Sequence, residues 1–92
     1  MNKKELIRAV SVDTGCQIGT VSEVIESTFG NIAKSLCDGD KVVIKDFGVF
    51  QTTLRKEKVG RNIRTGESVI VPEHMIPDFK PGKSLKNMVK GG

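Results

Sequence analysis

From Ile18 to Cys37 the apolar residues Val21, Val24, Ile25, Phe29, Ile32, Ala33 and Leu36 recur at i, i+3, i+4 and i+7 spacing, and after Asp38-Gly39-Asp40 that period is lost. The first stretch fits only a long amphipathic helix with one apolar stripe. The next segment is β-branched and short: Lys41-Val42-Val43-Ile44-Lys45, then Asp46-Phe47-Gly48 as a turn with an apolar anchor. A chain that changes period once is an α+β chain.

Ahead of the long helix, Asn2 can cap a first helix with Glu5 three residues on. Leu6, Ile7, Ala9 and Val10 give that helix an apolar side, and Gly15 offers a left-handed stop. The two helices read as an αα-hairpin, with Gly30 weakening the second by roughly 0.5–1 kcal/mol relative to Ala. Val49 to about Val59 reads as a second strand that turns basic along its length, Gly60 to Gly66 as a glycine-bounded tip, and Ser68 to Ile76 as a third strand. Pro72 and Pro77 restrict that strand to an edge or to a ribbon with bends. Phe79-Lys80-Pro81-Gly82 reads as a loop, and residues 83–90 as a short final helix.

The expected organisation is one domain over residues 1–92. It has a helical base at 1–38, a three-stranded antiparallel sheet at 41–79 with an arm at about 52–75, and the C-terminal helix at 83–90. Arg55-Lys56-Glu57-Lys58 gives the arm no continuous apolar face. A two-stranded ribbon of that kind is marginal alone in water, so it is expected to project and to become ordered on a ligand.

A chain of this length buries only about 60–70% of its unfolded surface. With 37% hydrophobic residues and neither Trp nor Tyr, it needs a staple, a metal or a partner. Cys16, Cys37 and His74 are too few for a four-ligand zinc site in one chain. The thiols are expected to be reduced and packed as small apolar groups. No cofactor is implied. Met1 to Glu5 opens an amphipathic segment rather than an apolar leader, and no apolar run spans a membrane, so a cytoplasmic protein stapled by oligomerisation is expected.

Charge placement identifies the partner class. Residues 55–64 carry Arg55, Lys56, Lys58, Arg61 and Arg64 against Glu57 alone, and residues 80–92 carry Lys80, Lys83, Lys86 and Lys90 with no acid. Residues 65–79 carry only Glu67, Glu73 and Asp78, and residues 1–54 are nearly balanced. Two concentrated basic segments point to a polyanion.

The motifs Met1-Asn2-Lys3-x-Glu5-Leu6-Ile7, Gly39-Asp40-Lys41-Val42, Phe47-Gly48-x-Phe50, Gly60-Arg61-Asn62-x-x-Thr65-Gly66 and Phe79-Lys80-Pro81-Gly82-Lys83-x-Leu85-Lys86 occur in that order along the chain. Together they resemble the HU and integration host factor family of bacterial nucleoid-associated proteins, without a gap to about Lys90. The resemblance implies an intertwined dimer, homotypic or heterotypic, whose two β-arms wrap the minor groove of double-stranded DNA and bend it without reading sequence. Phe29, Phe47, Phe50 and Phe79 would then be core and dimer-interface residues. Arg55, Lys58 and Arg61 match basic positions on the family's arm, Lys3, Lys80, Lys83 and Lys86 match basic positions around its body, and Asn62 and Arg64 at the tip are further candidate DNA contacts. Their ammonium and guanidinium groups would neutralise phosphates.

Where the family's tip carries an intercalating proline this chain has Ile63, an apolar side chain able to wedge between bases. Thr53 and Val59 stand at often-basic positions, and Asp46 at a position usually glycine. Weaker or more salt-sensitive binding than a typical relative is therefore expected.

Other classes are less well served. Lone His74 beside Glu73 reads as an exposed strand residue without a nucleophile, and no phosphate-cradling loop occurs, so no enzyme and no small-molecule substrate are expected. Single-strand or RNA binding would call for aromatics among the basic groups, and none lies in the 51–78 segment. Sequence-preferring bending of the integration host factor kind, and a fold retained for protein interaction alone, are the alternatives.

Overall fold

The computed structural model describes residues 1–91. The helices are α1 (Lys3–Thr14), α2 (Ile18–Cys37) and α3 (Lys83–Val89), and the strands are β1 (Val42–Ile44), β2 (Gly48–Arg55), β3 (Lys58–Arg61), β4 (Ser68–Val71) and β5 (His74–Pro81). The chain divides into two compact units, Met1–Lys34 and a second that begins at Ser35.

In the first unit the Asn2 side chain accepts the Glu5 N–H at 2.9 Å, and Gly15, at φ 73°, closes α1 by donating to Ser11 O. Ile7 packs with Val21 and Ile25 of α2, and Leu6 and Val10 lie against them. These three are the buried apolar side chains of the chain among the described residues. Ile7, at the margin of the sequence stripe, is thus the most deeply packed residue of α1. Val24 and Phe29 are 58% and 48% exposed, although they lie on the stripe of α2. So small a core cannot hold a folded chain on its own, which agrees with the need for a partner.

The second unit opens where α2 stops. Asp40 N–H bonds Ser35 O, Gly39 N–H bonds Leu36 O, and Gly39 sits at φ 79°. This is a Schellman motif, which satisfies the last carbonyls of the helix and turns the chain into β1. β1, β2 and β5 form an antiparallel sheet in that order, and β3 pairs β4 separately. Val42 to Ile44 pair with Phe50 to Gly48. In the intervening turn Asp46 takes φ 63°, the one non-glycine residue in the left-handed region among the described residues, as Phe47 N–H bonds Ile44 O at 3.0 Å. Asp tolerates that region better than most residues.

Two of the sequence motifs meet across β2 and β5. Phe50 pairs with Phe79 and Gly48 with Pro81. The Phe79 ring lies 4.8 Å from that of Phe50 and 5.5 Å from that of Phe47, both tilted. Gly82 N–H bonds Phe47 O at 2.8 Å, which ties the start of α3 to the β1–β2 turn. Phe50 and Phe79 are half-buried and Phe47 is 44% exposed.

The structure corrects four expectations. Residues 79–81 are not a loop: they complete β5, whose pairing with β2 runs to Pro81. The second and third strands are each two strands, interrupted at Lys56-Glu57 and at Pro72-Glu73. Pro72 lacks an N–H for the ladder, and that loss falls where both strands stop. The final helix ends at Val89. Packing of both thiols as small apolar groups does not hold in this chain, since Cys16 and Cys37 are free and exposed. Cys16 follows the α1 cap and Cys37 is the last residue of α2, where little protein surrounds them.

Candidate nucleic-acid interface

β1 reaches only as far as Phe50, so outward from Gln51 and Asp78 the sheet narrows to a two-stranded ribbon. Arg55 pairs with His74, and beyond the interruption Lys58 pairs with Val71 and Arg61 with Ser68. One register therefore runs through both ladders, with no bulge between them. Residues 61–70 are all exposed, as expected of a ribbon with water on both faces.

The tip is locked by its own backbone and short polar side chains. Asn62 N–H bonds Glu67 O at 2.8 Å and Gly66 N–H bonds Asn62 O at 2.7 Å, with Gly66 at φ 73°. The Asn62 side-chain oxygen accepts the Arg64 N–H at 3.0 Å, and Thr65 Oγ1 accepts the Glu67 N–H at 3.3 Å. Asn62 thus uses one lone pair of its side-chain oxygen to shape the turn, and its amide N–H groups make no hydrogen bond among the described residues. The turn holds Ile63 at the extremity, 100% exposed. An isoleucine wholly in water at a rigid tip has nothing to pack on within its own chain.

Alternation sorts the ribbon's side chains. Arg61 shares a face of the outer ladder with the exposed cross-strand pair Val59–Ile70, 70% and 63% exposed, while Lys58 and Val71 take the other. On the inner ladder Arg55 and His74 share a face with Ile76. At the interruption the two sets border one open concavity, lined by Arg55, Lys56, Lys58, Val71, His74 and Ile76. Sequence reasoning missed Lys56 and His74 as members of this cluster. Counting outward from the Asn62–Glu67 turn would have placed His74 opposite Arg55.

The other basic groups of this unit are Lys80, opposite Val49 on β5, and Lys83 and Lys86, one turn apart on α3. Lys3 belongs to the first unit, on the opening turn of α1, and is ion-paired with Glu26 of α2. This is the only ion pair among the described residues, so Arg55, Lys58, Arg61, Arg64, Lys80, Lys83 and Lys86 carry uncompensated charge. No group of three or more metal-ligating side chains occurs among the described residues.

An unpaired cationic ribbon with a rigid apolar tip, standing on a sheet, defines a class of protein built to hold a polyanion by its backbone. The chain belongs to the family described as bacterial DNA-binding protein, whose profile matches residues 1–90. It is 41% identical over 90 residues to DNA-binding protein HU of Geobacillus stearothermophilus, covering 98% of this chain and 100% of that one. To DNA-binding protein HU 1 of Bacillus subtilis it is 40% identical over 91 residues, with 99% of each chain covered. Among solved structures it is similar to Anabaena HU in a cocrystal with DNA, at a TM-score of 0.95 and 32% identity over the whole of both chains. HU from Thermotoga maritima gives a TM-score of 0.69 at 31% identity, covering 97% of this chain and 98% of the other.

Proposed function

We propose that this chain is an architectural protein that binds double-stranded DNA as a homodimer and bends it, without reading base sequence. Each ribbon arm lies in the minor groove. The observation that carries this reading is the ribbon itself, with Arg55, Lys58, Arg61 and Arg64 unpaired around a tip that exposes Ile63. Groups of this kind displace condensed counterions from phosphates, which supplies affinity without base contacts. The likeness to Anabaena HU solved with DNA supports it over the full chain length.

Each role is a matter of position. Residues 1–92 act as one DNA-binding domain, with 1–38 as the dimerisation base, about 52–75 as the arm and 83–90 as the C-terminal helix. Arg55, Lys58, Arg61 and Arg64 neutralise groove phosphates, Asn62 shapes the tip and offers its amide, and Ile63 is the wedge. Lys80, Lys83, Lys86 and Lys3 hold phosphates along the body. The ribbon offers no aromatic platform, so single strands and RNA are poorer ligands. The role is one of binding, and no catalysis is assigned. No described helix is long and apolar enough to cross a membrane. The place of action is the nucleoid, in the cytoplasm.

The test is a titration against a short random-sequence duplex at several salt concentrations, with wild type beside Arg61→Ala. Log affinity should fall with log salt by about 0.9 for each phosphate neutralised, and the mutant slope should be shallower. Absence of association even at low salt would overturn the reading, as would decisive preference for single strands in competition.

A further inference from the structure

The concavity at the ribbon interruption contains the only histidine in the chain. His74 is exposed, and its Nδ1 lies 2.9 Å from the carbonyl oxygen of Pro72. A carbonyl oxygen only accepts, so Nδ1 is the donor, and the neutral ring keeps its lone pair on Nε2. Pro72 therefore does two things here. It interrupts the strand, and its carbonyl fixes the tautomer of the neighbouring imidazole.

Three of the side chains that line the concavity with that imidazole are cationic. Arg55 lies directly opposite on β2, Lys56 lies in the interruption and Lys58 opens β3, and all three line the same concavity. The nearest carboxylates along the strands, Glu57 and Glu73, do not line it and make no ion pair. Adding a proton at Nε2 places a fourth positive charge among these, with like charges directly across the ladder. A phosphate seated among the four accepts from Nε2–H and screens the cations from one another.

We propose that His74 is a proton-dependent phosphate contact on the arm, so that DNA binding takes up a proton at each His74 and strengthens as pH falls through the range in which histidine titrates. This rests on the proposed DNA-binding function and adds to it a residue and a condition. Balance is simple: one proton from solvent joins Nε2, and one Nε2–H donates to a non-bridging phosphate oxygen. Linkage gives the sign. A ligand that prefers the protonated ring is bound more tightly at lower pH, and it raises the affinity of that ring for the proton by the same factor.

The experiment is fluorescence anisotropy of a labelled random-sequence duplex with the full chain at about pH 6 and about pH 8, at several salt concentrations, for wild type and His74→Gln. Wild type should bind more tightly at the lower pH by roughly two- to fivefold per arm, the range for one exposed charge pair, with a steeper salt slope there. His74→Gln should lose most of the gain that wild type shows at the lower pH. The ring resonances of His74, followed by NMR, should titrate at higher pH with duplex present than without. A pH dependence that persists unchanged in His74→Gln, or an unmoved NMR titration with DNA bound, would overturn this inference and leave DNA binding intact. No association at any pH or salt would overturn the functional reading, and the inference with it.

Discussion

The ring of Phe79 fills the place where a side chain on Gly48 would begin. A β-carbon there would stand 2.6 Å from Cζ of the ring and 2.6 Å from the Lys80 carbonyl oxygen. Neither neighbour can yield easily, since one is backbone and the other is held between Phe47 and Phe50. Gly48→Ala should therefore lower stability by about 2–3 kcal/mol, the upper range for overpacking. Urea unfolding at fixed protein concentration reads this out, and an unchanged midpoint would disprove the contact.

Asp46 occupies the left-handed region at φ 63°. A β-branched residue there meets a larger steric penalty and glycine a smaller one. Asp46→Gly should raise stability by about 0.5 kcal/mol and Asp46→Val lower it by about 1–2 kcal/mol. Both variants remove one negative charge. If that charge lies near bound DNA, both should bind a duplex more tightly than wild type at low salt, and anisotropy would show it.

Two polar contacts at the start of α1 should differ in weight. Asn2 holds the Glu5 N–H at 2.9 Å, and Asn2→Ala should lower stability by about 1 kcal/mol. The Lys3–Glu26 pair has side chains 60% and 56% exposed, and Glu26→Gln should change stability by less than about 0.5 kcal/mol. That variant also frees Lys3. If Lys3 serves a phosphate, Glu26→Gln should bind DNA slightly more tightly, and Lys3→Ala in the same background should remove the gain.

Ile63 makes no packing contribution at 100% exposure, so Ile63→Ala should leave the unfolding midpoint unchanged. Its effect should appear in the DNA. End-to-end energy transfer on a doubly labelled duplex should report a smaller bend at saturating protein, while affinity falls less than in Arg61→Ala. An unchanged bend would remove the wedge role from Ile63.

Much of the fold was legible in the residues because local rules decide it. The apolar stripe of α2 and the Asp38-Gly39-Asp40 stop placed that helix, and Asn2 and Gly15 placed α1. The left-handed conformation of Asp46 was foreshadowed only by the resemblance, which puts it where relatives usually carry glycine. Pairing could not be read in the same way. Phe79 to Pro81 carry turn-forming residues, and they become strand because Phe79 lands opposite Phe50 and its ring covers Gly48. The interruption of the ribbon was foreshadowed by Pro72, but its match at Lys56-Glu57 depends on register. The same register brings His74 beside Arg55, and residues of opposite strands carry no joint signal along the chain. The basic side chains were named one by one from charge. Which of them share a face required the ladder.

That register has a mechanical meaning. The ladders on either side of Lys56-Glu57 and Pro72-Glu73 keep the same offset, so the gap removes rungs without shifting any pairing. With no rung across Lys56-Glu57 and Pro72-Glu73, the gap is the stretch of the ribbon with the fewest backbone hydrogen bonds, and so the one that resists bending least, while the offset of the strands is the same on either side of it.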